Sequence, residues 1–286
     1  MKRKSWMIGI MIVAILSVSF LHAWNQRKTL ESGIRIHVVD VGQGDCMIVE
    51  TSDGHVMIDT GSNTSESALR GYLKSYGLDR FSYLILSHPH DDHIGNADMI
   101  LREFAVERIL CAETQSTEVS YSDMKQASED AMRHQNTEWI KPMSGNVYWV
   151  GELRIEILYV PPKDNMGENG DSMIVRLDYG ENSVLLMGDA EASDENRLLE
   201  SVLPDRLSAD LLKVAHHGSS GSSTDDFLYA VSPRIAVISA GEGNTFGHPH
   251  WEVLSRLQAL NAEIYRTDIH GSLIFYCDGR NIHLRP

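Results

Sequence analysis

From residue 34 to the carboxyl end, short apolar runs alternate with amphipathic stretches. Residues 34–41, 46–50 and 56–58 are apolar or alternating and are punctuated by glycine, which predicts a meander of early strands. Residues 65–76 place Leu69, Tyr72 and Leu73 on one face and are followed by Gly77, a pattern that predicts a helix with a glycine terminator. Residues 83–87 read as a buried strand, 97–104 as a helix and 108–111 as a strand, while the polar segment 116–136 reads as part helix, part loop. A second strand-rich block comes next, at 147–150, 153–160, 173–178 and 183–187. Beyond it lie helix 193–201, strand 211–215, helix 224–231, strand 235–239, helix 250–260 and strands 263–267 and 272–276. Two blocks of strands, each followed by helices, predict an α+β, four-layer αββα sandwich with two sheets face to face and helices outside. The loop at 164–170 does not divide the chain into independent domains.

The amino terminus has a different pattern. Lys2, Arg3 and Lys4 precede an uncharged apolar run, residues 6–21, and Arg27 and Lys28 come after it. Basic residues ahead of such a run place its start in the cytoplasm and send the rest of the chain outward. Residues 1–28 are therefore expected to be a signal-anchor or, with a small-residue site at Ser17–Ser19, a cleaved signal peptide. Residues 29–286 are expected to form one folded domain, held outside the cell membrane by its single anchor, or secreted.

The 286 residues carry 25 Lys and Arg against 40 Asp and Glu, a formal charge of −15. Five of the basic residues lie in the first 28 positions, which hold no acid, so the rest of the chain has 20 bases against 40 acids and a charge of −20. A body this acidic excludes a broad electrostatic footprint for duplex DNA, and a polyanion would need a local device such as bound cations. Cys46, Cys111 and Cys277 are too few and too scattered for a disulfide scaffold or a zinc ribbon.

The strongest chemical signal is His88-Pro89-His90-Asp91-Asp92-His93, directly after the strand predicted at 83–87. Strand geometry points His88 and His90 to one side, Pro89 stops further pairing, and Asp92 and His93 can turn back into the same pocket. Imidazoles and a carboxylate at this spacing suit zinc, or manganese where oxygen donors are added.

His-x-His-x-Asp-His after an apolar strand resembles the metallo-β-lactamase superfamily. The segments 39–45 (VDVGQGD), 58–61 (IDTG), 186–189 (LMGD), 212–219 (LKVAHHGS) and 246–249 (FGHP) further resemble the extracellular metallo-hydrolase domain of ComEC-type competence DNA-uptake proteins. The resemblance runs from about residue 34 to 277; the multi-span channel of those proteins has no counterpart in this sequence. It implies that residues 29–286 are a hydrolase domain with the metallo-β-lactamase fold and two divalent metal ions, zinc or manganese. His88 and His90 would serve the first metal, Asp92 and His93 the second, and Asp189 would bridge them. His216 is expected to complete the second metal and His217 to contact substrate or move a proton, although the two could be exchanged. Asp92 would also orient the nucleophile, His217 or His248 would protonate the leaving oxygen, and Ser219 and Asn244 would contact phosphate or sugar. The turn at 167–172 lacks the histidine that many superfamily members place there, which argues against a true β-lactamase.

The expected activity is a metal-dependent phosphodiesterase or nuclease on extracellular DNA, alongside a separate DNA-uptake machinery. The alternatives are a phosphodiesterase on wall polymers such as choline-bearing teichoic acid, and a non-catalytic metal-holding or substrate-binding module. Asp40, Gly42, Gly44 and Asp45 read first as turn chemistry, Asp59 and Gly61 as support for the ligands, and Lys213 faces either solvent or a substrate phosphate.

Overall fold

The computed structural model describes residues 33–112, 116–161 and 172–285. The apolar amino-terminal run and the loop at 164–170 lie outside these residues. Among the described residues no helix is long and apolar enough to cross a membrane.

The strands are β1 (Ile34–Val38), β2 (Met47–Glu50), β3 (His55–Ile58), β4 (Arg80–Phe81), β5 (Tyr83–Leu86), β6 (Ala105–Val106), β7 (Arg108–Cys111), β8 (Glu138–Ile140), β9 (Val147–Val150), β10 (Leu153–Tyr159), β11 (Ile174–Tyr179), β12 (Asn182–Leu186), β13 (Leu211–Lys213), β14 (Ile235–Ile238), β15 (Glu263–Arg266), β16 (Leu273–Cys277) and β17 (Ile282–Leu284). They form an eight-stranded sheet in the order β17-β16-β1-β2-β3-β5-β7-β8 and a seven-stranded sheet in the order β15-β14-β13-β12-β11-β10-β9; β4 and β6 pair separately. Helices α1 (Glu66–Tyr76), α2 (Asp91–Ile94), α3 (Ala97–Glu103) and α4 (Val119–His134) come after strands of the first sheet. Helices α5 (Ala192–Ser201), α6 (Pro204–Leu207), α7 (Asp225–Val231), α8 (Trp251–Ala259) and α9 (Thr267–His270) come after strands of the second.

Three apolar layers separate the four layers of structure. Between the sheets, Ile36, Met47, Val49 and Phe275 meet Ile155, Ile157, Val175 and Leu177. Outside the first sheet, Ile48, Met57 and Leu84 pack with Leu69 and Leu73 of α1 and with Met124 and Ala131 of α4. Outside the second, Leu185, Leu212 and Ala236 pack with Leu198 of α5, Phe227 of α7 and Leu257 of α8. Successive residues of a central strand therefore enter different apolar layers, which is why the sequence shows short continuous apolar runs in place of alternation. The expected αββα sandwich is the observed one.

Gly77 takes φ 68° at the end of α1, and its N–H reaches the Leu73 and Lys74 carbonyls, the expected left-handed terminator. The segment at 116–136 is part helix, part loop as expected: α4 covers all but its two ends and buries a stripe of Met124, Ala127, Ser128 and Ala131. Small residues lie against the sheet there, so the apolar signal is weak. The three cysteines are buried and free.

In both sheets the site loops leave the carboxyl ends of neighbouring parallel strands, the usual place for a site in sheets so connected. Residues 87–93 come after β5, 187–191 after β12, 214–222 after β13 and 239–250 after β14.

Candidate metal centre

His88 leaves β5 fully enclosed, and its Nδ1 lies 3.1 Å from Ser87 Oγ and 3.2 Å from Ser172 Oγ. Its Nε2 faces His90 Nδ1 at 3.1 Å and Asp189 Oδ2 at 3.8 Å. His90 caps the amino end of α2, so the next turn carries Asp92 and His93 back toward the pocket, as the motif spacing predicts. Asp91 points elsewhere: its carboxylate accepts from Ser62 Oγ at 2.7 Å and from Ser120 Oγ, tying α4 to the site loop.

His93 is completely buried, with Nδ1 2.8 Å from Asp59 Oδ2 and Nε2 3.0 Å from Asp189 Oδ1. Asp59 also accepts from the Ser87 N–H at 2.8 Å and the Ser87 hydroxyl at 2.6 Å. A carboxylate can only accept, so His93 Nδ1 must donate to it, and in a neutral ring the Nε2 lone pair is turned into the pocket. The supporting role expected for Asp59 is thus visible in its contacts.

Gly188 turns the chain after β12 with φ 51°, and Asp189 emerges buried, its N–H donating to Ser172 Oγ at 2.8 Å. After β13, both His216 and His217 adopt the left-handed region, at φ 47° and 53°. For a non-glycine residue this costs on the order of 1 kcal/mol or more and marks a position fixed by its surroundings. The pair of strained turns sends the two rings in different directions. His217 Nδ1 lies 2.9 Å from the Ser239 carbonyl, which again makes Nδ1 the donor and Nε2 the free lone pair. That Nε2 stands 3.3 Å from Asp92 Oδ2 and 3.5 Å from Asp189 Oδ1. His216 is less buried, with Nε2 3.7 Å from Asp189 Oδ2 and Nδ1 3.9 Å from Glu191.

Two ligand groups emerge that share Asp189. One is His88, His90 and Asp189; the other is Asp92, His93, Asp189 and His217, and in each the candidate donor atoms lie within 4.8 Å of one another. The second group contains His217, the histidine to which the sequence gives substrate contact, while His216, the expected ligand, stands outside it at the pocket's edge. The fit to a metal rests on the donors themselves. His93 Nε2, Asp189 Oδ1 and His217 Nε2 are buried, converge on one another and make no hydrogen bond. Two imidazole nitrogens and two carboxylates form a mixed nitrogen and oxygen set suited to zinc or manganese. The turn at 167–171 lies outside the described residues; its neighbour Ser172 supports His88 and Asp189 from behind.

The buried carboxylates favour positive charge at His93 and His217, a proton there being what a metal cation would displace. Burial, reinforced by the neighbouring His93, holds His88 neutral, well below its ordinary range. Burial opposes charge on His93, but Asp189 and Asp59 on either side outweigh it and raise the imidazole well above that range. Burial likewise opposes charge on His217, yet Asp189, with the nearby carboxylates of Asp45 and Asp92, pushes it up to about 9. Asp92, despite burial, is drawn down to about 2 by the imidazoles of His217 and His93.

Beneath His217 lies a pair with no assigned role in the motif. Lys213 Nζ is 2.7 Å from Asp45 Oδ2, with the side chains only 2% and 6% exposed, and Asp45 Oδ1 is 3.5 Å from His217 Nδ1. Lys213 therefore faces neither solvent nor a substrate phosphate, and Asp45 is more than a turn residue. The Asp45 backbone spans the site, with its N–H donating to Asp92 O at 3.0 Å and its carbonyl accepting from Gly61 at 2.8 Å. Gly44, with φ 140°, permits this approach, since a Cβ there would lie 2.3 Å from the Asp92 carbonyl. Ser87 and Ser172 escape sequence reading because serine carries no spacing signal of its own, and the pairing of Asp45 with Lys213 joins positions far apart in the chain.

At the mouth, His248 stands 5.5 Å from the ring of His216 and 6.2 Å from that of His217. Burial and those two imidazoles push it down to about 4, so at neutral pH it is an uncharged ring. Ser219 is partly exposed beside the histidine pair. Asn244, expected to touch substrate, has its amide engaged within its own loop: Nδ2 donates to Gly241 O at 2.9 Å and to His248 O at 2.7 Å, and Oδ1 accepts from the His248 N–H at 3.0 Å.

A shared buried carboxylate between two histidine-rich ligand groups, at the open edge of an αββα sandwich, defines a metallo-hydrolase architecture. The family profile of the metallo-beta-lactamase superfamily matches residues 39–242, and the chain belongs to that superfamily. It is 31% identical over 262 residues to "ComE operon protein 3" of Bacillus subtilis, covering 85% of this chain and 33% of that protein. It is 30% identical over 247 residues to "Recombination protein 2" of Haemophilus influenzae, covering 84% of this chain and 28% of that protein. The chain thus spans about a third of the length of the curated relatives it matches. Among solved structures, the metallo-beta-lactamase fold protein YhfI from Bacillus subtilis superposes with a TM-score of 0.55 at 16% identity, over 86% of this chain and 100% of that one, a likeness of fold.

Proposed function

We propose that the chain is an exported phosphodiesterase that uses two divalent metal ions and acts on DNA outside the cell. The observation that carries this reading is the pair of ligand groups joined at Asp189. His88, His90 and Asp189 would hold one ion, and Asp92, His93, Asp189 and His217 the other. Bound there, the metals supply a lowered water pKa and positive charge for the phosphate oxygens.

The protein's own residues prepare the site. Asp59 and the Ser239 carbonyl fix the tautomers of His93 and His217, so each presents Nε2 without rearranging. Ser87 and Ser172 hold His88 and the Asp189 backbone from behind. His216 and His248 line the approach; burial lowers both imidazoles, so as uncharged rings they can relay a proton from water to a departing alkoxide. Phosphodiester cleavage fits an acidic body better than amide hydrolysis, because local cations recruit a polyanion that the rest of the surface would repel. Export is supported by the basic, apolar, basic order of residues 1–28. The name of the relative "Recombination protein 2" favours DNA over a wall polymer.

The test is hydrolysis of bis-p-nitrophenyl phosphate and of single-stranded DNA by the full chain, purified in detergent, stripped of metal and then reloaded with zinc or manganese. Cleavage of both, absent after stripping and restored on reloading, is the expected result. Cleavage of the small ester alone would point to wall polymers. No cleavage of either by protein carrying two metals would move the chain to the binding role.

A further inference from the structure

The loop after β14, residues 239–250, is pinned by hydrogen bonds and presents a ring that the core does not use. Besides the Asn244 clamp, Gln43 Oε1 accepts from the Gly241 N–H at 3.1 Å, fastening the loop to the first sheet. So held, Phe246 lies nearly parallel to His248, with centroids 5.6 Å apart and planes at 22°. His248 in turn stacks toward His217 at 29°. A row of rings therefore runs from the second ligand group out to solvent. Phe246 closes it while 63% exposed, an apolar ring left in water beside the candidate centre.

We infer that Phe246, backed by His248, is a base-stacking subsite that receives a nucleobase of single-stranded nucleic acid next to the phosphate taken up at the candidate metal centre. The inference rests on the phosphodiesterase reading and names its substrate class. With a charge of −20 beyond residue 28, the protein cannot hold a strand mainly by neutralising phosphates. Stacking on an aromatic face needs no charge and accepts any base. Duplex DNA keeps its base faces covered, so the same device selects unpaired strands. The clamped loop is already in its binding geometry, which removes an ordering penalty from association.

The experiment tracks binding of a fluorescent, phosphorothioate-linked oligothymidylate to the manganese-loaded full chain by anisotropy, with bis-p-nitrophenyl phosphate hydrolysis by the unaltered protein measured in parallel. Phe246→Ala is expected to weaken oligonucleotide binding about tenfold, within the range for a lost base stack. Phe246→Trp should retain it, and an abasic residue beside the bound phosphate should penalise the parent but not Phe246→Ala. Equal affinity of the parent and Phe246→Ala overturns the inference. A parent that cuts the small ester yet binds no oligonucleotide, or a Phe246→Ala loss confined to phosphorylcholine esters, overturns it and leaves the phosphodiesterase reading intact. Phe246-dependent binding without hydrolysis of any ester supports the subsite and counts against that reading.

Discussion

Asp189→Ala is expected to lower kcat/KM for phosphodiester hydrolysis about 1,000-fold or more, equivalent to ~4 kcal/mol of transition-state stabilisation. Asp189 is the residue common to both ligand groups, with Oδ1 facing His93 and His217 and Oδ2 facing His88 and His216. Removing it takes a donor from each group at once. In the folded protein its carboxylate lies well below the ordinary range: burial opposes the charge, but His93 and His217 outweigh it. Steady-state kinetics on bis-p-nitrophenyl phosphate, with circular dichroism to establish that the variant is folded, make the check. Activity within about tenfold of the parent would remove the shared carboxylate from the account.

The second large effect is on stability. Lys213→Met leaves Asp45 charged and buried without its partner and should destabilise the fold by about 3–5 kcal/mol, the usual consequence of breaking one side of a buried pair. Burial by itself raises the Asp45 carboxyl, while Lys213 and the neighbouring His217 hold it below the usual carboxylate range, so losing the lysine strands the carboxyl where burial disfavours its charge. The double variant Asp45→Asn, Lys213→Met removes the stranded charge and should recover much of the loss. Urea denaturation of the three proteins reads both numbers. A single-variant change under about 1 kcal/mol would mean that water reaches Asp45 and that the pair is not a structural keystone of the His217 loop.

The order of elements was legible because each central strand carries an apolar run long enough to mark it. The boundaries of β5, α3, β7 and β14 differ from the sequence reading by no more than a residue. Short elements were not legible: β4, β6, β8 and β17 have only two or three residues, too few to show a period. The first ligand group was legible because His88 and His90 are close in sequence, so spacing alone brings them together. The choice between His216 and His217 was not, since it depends on two consecutive left-handed residues and on a carbonyl 22 positions away at Ser239, neither of which leaves a local pattern. Asn244 shows the same limit. A polar side chain in a glycine-rich loop reads as a substrate contact, whereas its amide is spent on the loop's own backbone.

Calorimetric titration of zinc or manganese into the stripped full chain reads out the proposed dinuclear site, joined at Asp189 with His217 inside it. Two metals per chain are expected for the parent, one for His217→Ala and two for His216→Ala. A parent that binds one metal or none, or a count that falls with His216→Ala and stands with His217→Ala, would contradict it.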